Sequence, residues 1–205
     1  MHKLFIRLII LIGLSGCATA KFNYAPPRID TIQNQIEINA DFDVVWDRLV
    51  KNLSSDFFVI NNIDKNSRLI NVSFSTNTPS DYVDCGTSTR EFSNARGKNK
   101  YIYNPADSSR FTTTNAGQLF NCIRTTRMNG RANIYISPTD TGTIVSVNAK
   151  YVIDVNVKSY DVYNNLVGND NFAFDISTKT PMVLEDCQCV SRGIIEERIL
   201  NYAKG

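Results

Sequence analysis

The chain has 205 residues, of which 42% are hydrophobic and 20% are charged, and its formal net charge at pH 7 is +2. This composition is typical of a folded globular protein and excludes a disordered chain. At this length we expect a single domain.

The first 16 residues have the three-part layout of an export signal. A basic start precedes an apolar run from residue 8 to residue 14, and the small residues Ser15 and Gly16 follow that run. The run is too short to form a permanent transmembrane helix, which needs about 20 residues. We therefore predict that residues 1–16 are removed.

A cysteine follows this segment directly. The stretch Leu14-Ser15-Gly16-Cys17 resembles the lipobox of bacterial lipoproteins. The resemblance implies acylation of Cys17, cleavage before it and, because Ala18 rather than Asp follows, transport to the outer membrane. Two or three acyl chains hold a protein stably on a membrane. The alternative is an ordinary signal peptide with a chance cysteine.

Cleavage at this point would change the chemistry of the mature chain. It removes Lys3, Arg7 and His2, so 20 basic residues remain against 20 acidic residues and no histidine is left. Without histidine, a Ser-His or Cys-His nucleophile and an imidazole metal ligand are excluded. The sequence also lacks a glycine-rich phosphate loop and a nucleophile-elbow motif. We predict a noncatalytic protein with no cofactor, and we assign no catalytic residue.

The rest of the chain is predicted to form a tether and one domain. Residues 17–30 are polar and contain Pro26-Pro27, which indicates an acylated cysteine followed by an extended tether. Residues 31–205 would then form the domain. An amphipathic helix is predicted from Phe42, because apolar residues recur there at helical spacing. A hairpin should follow it, ending with the alternating strand around Phe74.

Turn signals and alternation predict the second half. Residues 76–110 are rich in Ser, Asn and Thr and are predicted to be mostly irregular. Asn129-Gly130 is typical of a tight hairpin turn. Alternating apolar residues from Val145 to Val157 predict the longest strand, with one buried and one wet face. A helix capped by Ser191 should end the chain.

Together these elements predict an α+β fold, a curved antiparallel sheet with helices packed on one face and a C-terminal helix. Residues Phe42 to Phe74 resemble helix-grip domains, such as those of the lipoprotein subunit of the outer-membrane β-barrel assembly machinery. No partner site follows from this resemblance.

Four cysteines remain after Cys17. An even number of cysteines in an oxidising compartment favours disulfides. We favour Cys85 with Cys189 and Cys122 with Cys187, and the swapped pairing is the closest alternative. A zinc site with four thiolate ligands is the rival interpretation, although only one closely spaced cysteine pair exists.

Basic residues are concentrated in the middle of the chain. We single out seven of them as a possible partner surface: Arg90, Arg96, Lys98, Lys100, Arg124, Arg127 and Arg131. A solvated strand face is the plainer interpretation. Nucleic acid is not an expected partner of an exported protein.

The sequence thus suggests a membrane-anchored bacterial envelope lipoprotein that binds protein partners at the outer membrane, as an accessory subunit of an assembly or secretion complex. The alternative is a carrier that holds a lipid or small apolar ligand between the helix of Trp46 and the sheet.

Overall fold

The structure is a computed structural model that describes residues 18–184 and 187–205. The predicted signal segment 1–16 and the predicted lipidation site Cys17 lie outside the described residues. No helix among the described residues is both long enough and apolar enough to cross a bilayer.

Most of the described chain is strand. The strands are β1 (Thr19–Ala25), β2 (Gln35–Ile38), β3 (Val59–Asp64), β4 (Leu69–Thr76), β5 (Val83–Asp84), β6 (Thr87–Asn94), β7 (Gly97–Tyr103), β8 (Ser109–Asn115), β9 (Gln118–Pro138), β10 (Thr143–Tyr160), β11 (Leu166–Ser177), β12 (Met182–Leu184) and β13 (Cys187–Ser191). Two α-helices occur among the described residues, α1 (Phe42–Ser55) and α2 (Ile194–Lys204).

The predicted α+β, helix-grip-like fold is wrong. The protein is 58% strand and 15% helix, and its antiparallel sheets are larger and more numerous than the sequence indicated. The reason is that segments read as loop, turn or tether pair with strands distant in the sequence. Residues 76–110, for example, contain β5, β6, β7 and the start of β8.

The central sheet is built around β9 and β10. Its strand order is β11-β10-β9-β4-β3, with β2 paired to β10 and β8 paired to β9. The pairing of β9 with β10 runs from Pro138 opposite Thr143 to Asn121 opposite Tyr160. The predicted alternation from Val145 to Val157 is confirmed within β10, whose inward residues are buried.

One half of this long sheet is covered by the two helices, which also contact each other. The helical spacing predicted from Phe42 is confirmed, because α1 buries Val45, Trp46, Leu49 and Leu53 in the core. The α2 helix begins later than predicted. Its N-cap is Gly193, with φ of 73°, whereas Ser191 ends β13. Glycine adopts this left-handed conformation without a steric penalty.

In the other half, β8 packs against a second sheet of order β1-β6-β7. The β1 strand pairs with β6 over its whole length, from Thr19 opposite Ser93 to Ala25 opposite Thr87. This part of the chain was predicted to be an extended tether. The difference arises because a polar strand at the edge of a sheet is held by its backbone hydrogen bonds rather than by buried apolar side chains.

The predicted hairpin turn at Asn129-Gly130 is also wrong, because both residues lie in the middle of β9. A Cβ atom on Gly130 would overlap the ring of Phe74, which packs across the strand at this point. Gly130 therefore serves packing and not a turn. The turn that precedes β9 is formed by Ala116 and Gly117, both with positive φ.

We predict that Gly130→Ala lowers the free energy of unfolding by about 1–3 kcal/mol, because the added methyl group overpacks the ring of Phe74. Urea denaturation measures this change. Gly168→Ala is the matched control, since a Cβ there lies no closer than 3.5 Å to Ser159. Equal effects of the two substitutions would contradict the packing role of Gly130.

The two helices are also joined by a polar contact at the end of α1. The carboxylate of Asp56 accepts hydrogen bonds from the Tyr202 hydroxyl and from Arg198 Nη1, the latter at 3.3 Å. Burial alone would raise the pKa of Asp56, but these hydrogen bonds lower it below its ordinary value. The ionised form therefore stabilises the fold.

Because the pKa of Asp56 is lower in the folded state, its contribution is present above pH 4 or so and is lost as the pH falls through the folded pKa. We predict that Asp56→Asn lowers the free energy of unfolding by about 1–2 kcal/mol at pH 7. The difference from the parent protein should shrink in acid. Asp47→Asn, on the exposed side of α1, is the control. A pH-independent difference would rule out ionisation as its cause.

Candidate functional site

The seven basic residues predicted as a partner surface do not form one surface. The structure places them in three separate groups: Arg96, Lys98 and Lys100 near the β6–β7 turn, Arg127 and Arg131 on the outer face of β9, and Arg90 and Arg124 on inward-facing positions. Alternation along the strands separates them, because neighbouring residues of a strand point to opposite faces.

Arg90 holds the second sheet against β8. Its guanidinium carbon is 4.7 Å from the centroid of the Phe22 ring and 4.2 Å from that of Phe111. Its Nε donates a hydrogen bond of 2.9 Å to the Tyr103 hydroxyl. Planar guanidinium groups stack well on aromatic rings. Arg90 therefore contacts groups within the protein and does not share a surface with Arg127 and Arg131.

Arg124 points inward from β9. One guanidinium nitrogen donates a hydrogen bond to the carbonyl of Pro105, and the guanidinium carbon is 5.9 Å from the centroid of the Phe172 ring. Among the described residues, Nε has no hydrogen-bond partner. Burial lowers the pKa of Arg124 below its ordinary value. Arg124 also does not lie on an exposed partner surface.

Arg127 and Arg131 remain exposed on the outer face of the central sheet. Each lies at an outward position of β9, and neither forms an ion pair within the described part of the chain. Lys150 lies opposite Arg131, and it forms a salt bridge of 2.8 Å with Asp175. Tyr135, which is 44% exposed, extends the same face.

A row of asparagines crosses this outer face. Asn71 lies opposite Asn133, and Asn133 lies opposite Asn148. The side chain of Asn71 donates to Asn133 and accepts from Asn61, and Asn34 donates to Asn148 at 3.1 Å. These hydrogen bonds link Asn61, Asn71 and Asn133 in one group and Asn34 with Asn148 in another. We call the residues around them, Arg127, Arg131, Asn133 and Tyr135, the outer sheet face.

The cysteines among the described residues form one disulfide. Cys85 and Cys189 are bonded and buried, across a sequence separation of 104 residues. The predicted partners Cys122 and Cys187 are both free thiols. Cys187 Sγ is 3.9 Å from Cys189 Sγ, and burial raises the pKa of the Cys187 thiol. Among the described residues, no group of three or more His, Cys, Asp or Glu residues could hold a metal ion.

A buried polar cluster that the sequence analysis missed lies beneath α2. Glu196 is fully buried, and its carboxylate accepts hydrogen bonds from Thr178 and, at 3.5 Å, from the Tyr151 hydroxyl. Burial, reinforced by Glu196, raises the pKa of Tyr151 well above its ordinary value. Glu196 gives no signal in the sequence, since the neighbouring Glu197 is an equally plausible surface residue. The cluster joins α2 to β10, and Glu196 and Tyr151 within it are fully buried.

The space between α1 and the sheet is filled by side chains. Phe74 and Tyr151 are buried there, with ring centroids 6.4 Å apart, and Trp46 is 6% exposed. A depression of about 470 Å³ beside Trp46 opens to solvent between α1 and β3 and is bordered by Lys51 and Lys65. The described residues therefore do not favour the alternative of a carrier with an apolar ligand between helix and sheet.

A second cleft, of about 840 Å³, lies between α2 and the segment that follows β1. Its walls include charged residues of both signs: Asp30, Asp81, Arg192, Glu197 and Lys204. This lining does not suit an apolar ligand either.

Comparison of the chain with protein-family models, with curated proteins and with solved structures finds no match.

We predict that Arg90→Ala lowers the free energy of unfolding by about 1–3 kcal/mol, because it removes two cation–π contacts and the hydrogen bond to Tyr103. Limited proteolysis should also cut β1 faster. Lys98→Ala, in the same hairpin but exposed, is the control. A stable Arg90→Ala protein would contradict the structural role of Arg90.

Proposed function

We propose that the protein is a noncatalytic, lipid-anchored envelope protein that binds a protein partner at the outer membrane through its outer sheet face. It would act as an accessory subunit of an assembly or secretion complex. The observation that carries the binding proposal is the exposure of Arg127, Arg131 and Tyr135 together on one broad sheet face.

The composition of this face supports the proposal. Arginine and tyrosine are enriched in protein interfaces and contribute a large share of binding energy. In the asparagine row, the side-chain oxygens of Asn71, Asn133 and Asn148 already accept hydrogen bonds, so covering these oxygens costs less than burying unpaired acceptors. A broad antiparallel face also offers a rigid surface, which limits the entropy lost on binding.

The position of Cys17 supports the anchor. Cys17 precedes Thr19 by two residues, and Thr19 is already paired with Ser93 of the domain. Because an extended chain spans at most about 3.5 Å per residue, acyl chains on Cys17 would hold the domain directly against the bilayer. The Cys85–Cys189 disulfide supports an oxidising compartment such as the bacterial envelope.

We expect a photo-crosslinking amino acid in place of Tyr135 to capture one envelope protein in intact cells. Charge reversal by Arg127→Glu with Arg131→Glu should reduce the capture by about tenfold or more, because it removes the electrostatic complementarity of the face. Immunoblotting and mass spectrometry of the crosslinked product measure both effects.

Position 44 is the matched control, because Val44 on α1 is 48% exposed but faces away from the outer sheet face. Equal capture from positions 44 and 135 would contradict the proposed surface. Cys17→Ala should remove the protein from the outer-membrane fraction. Retention of that form in the outer membrane would contradict the anchor.

A further inference from the structure

Three turns of the protein lie at the same end of the molecule. Tyr160, the last residue of β10, is opposite Asn121, and Asn121 is opposite Thr112 of β8. The β8–β9 turn at residues 116–117 and the β10–β11 turn at residues 161–165 therefore leave the sheet on the same side.

The β6–β7 turn at residues 95–96 points the same way. The Tyr101 hydroxyl is 3.1 Å from Thr112 Oγ1, and the Tyr103 ring stacks on Phe111, so β7 runs antiparallel to β8 from this turn. Thr19, the first residue of β1, lies opposite Ser93 beside the turn. We call this end of the molecule, with its three turns and the start of β1, the turn end.

The turn end exposes a group of apolar and aromatic side chains. Val162 and Tyr163 are 63% and 83% exposed, and Leu166 and Val167 are each 53% exposed. Asp161 stabilises the β10–β11 turn. Its carboxylate accepts hydrogen bonds from the backbone N–H groups of Tyr163 and Asn165 at 2.9 and 2.8 Å. Val162 and Tyr163 therefore lie in a turn of defined conformation, and Leu166 and Val167 follow directly in β11.

The turn end also carries exposed basic residues. Arg96 and Lys98 lie at the β6–β7 turn, and Lys158 lies near the end of β10. Of the acidic residues nearby, Asp161 holds its own turn and Glu91 forms a salt bridge of 3.4 Å with Lys100, whereas Asp170 of β11 is exposed. The exposed basic residues Arg96, Lys98 and Lys158 outnumber Asp170, so the turn end combines an apolar tip with an excess of positive charge.

We propose that the turn end is a second membrane-contact site, at which Val162, Tyr163, Leu166 and Val167 enter the interfacial zone of an anionic bilayer. The location rests on the proposed anchor, because Cys17 precedes Thr19 by two residues in the sequence and Thr19 lies at this end. Tyrosine and aliphatic side chains suit the interfacial zone, and lysine and arginine suit anionic head groups. The contact would orient the domain so that the outer sheet face stands free for its partner.

The test uses the protein in vesicles of phosphatidylethanolamine and phosphatidylglycerol whose acyl chains carry bromine, which quenches tryptophan emission. Tyr163→Trp introduces a reporter at the tip, and Tyr135→Trp is the matched control on the outer sheet face. Trp46, the only native tryptophan, is buried and gives a common background. We expect a loss of added emission at least about twofold larger for Tyr163→Trp. Val167→Trp provides a second reporter at the tip.

Arg96→Glu with Lys98→Glu should reduce this quenching, as should replacement of phosphatidylglycerol by phosphatidylcholine. Equal quenching of Tyr163→Trp and Tyr135→Trp would overturn the inference. If a second copy or a protein partner covered the tip, the emission of Tyr163→Trp would not be quenched. A photo-crosslinking amino acid at position 163 would then capture protein, and this result would also overturn the inference. The mass of the same preparation reports whether Cys17 is acylated, so failure of the anchor is distinguished from failure of the membrane contact.

Discussion

The antiparallel pairing of β9 with β10 is the constraint on which the rest of the structure depends. These strands are 21 and 18 residues long, and their pairing is unbroken from Thr143 to Tyr160. Such a long hairpin cannot bury its inner face against two short helices alone. The helices cover the half near Ile134 and Tyr151, and the second sheet packs on β8, which pairs with β9 in the half near Cys122. Four further strands pair directly with this hairpin, namely β2, β4, β8 and β11.

The alternation along β9 also decides which charges can serve recognition. Arg124 falls on the inner face and donates a hydrogen bond to the carbonyl of Pro105, whereas Arg127 and Arg131 fall on the outer face. The guanidinium group of Arg90 likewise packs on the aromatic rings of Phe22 and Phe111. A single basic segment of sequence is thus divided between interior structure and an exposed surface, because side-chain direction reverses at each residue of a strand.

The proposed functions use different parts of this architecture. The anchor at Cys17 and the turn end would meet the membrane, whereas the outer sheet face would remain available to a partner. The Cys85–Cys189 disulfide fastens the segment before α2 to β5, and α2 in turn covers the core through Ile195 and Ile199. Closing a loop of this length stabilises a protein by about 4–5 kcal/mol in the chain-entropy model. The buried cluster of Glu196, Thr178 and Tyr151 fixes the same helix on β10.

The sequence by itself determined the elements whose signal is local. The helix from Phe42 and the alternating strand from Val145 to Val157 follow from periodicities of side chains that neighbour one another in the chain. The tertiary structure alone decided the features that depend on distant partners. Gly130 looked like a turn because the ring of Phe74, more than fifty residues away, was invisible in the local pattern. Residues 19–25 looked like a tether because backbone hydrogen bonds to β6 leave no trace in side-chain hydrophobicity. The division of the basic residues between core and surface had the same cause, since burial is a property of what packs opposite a residue.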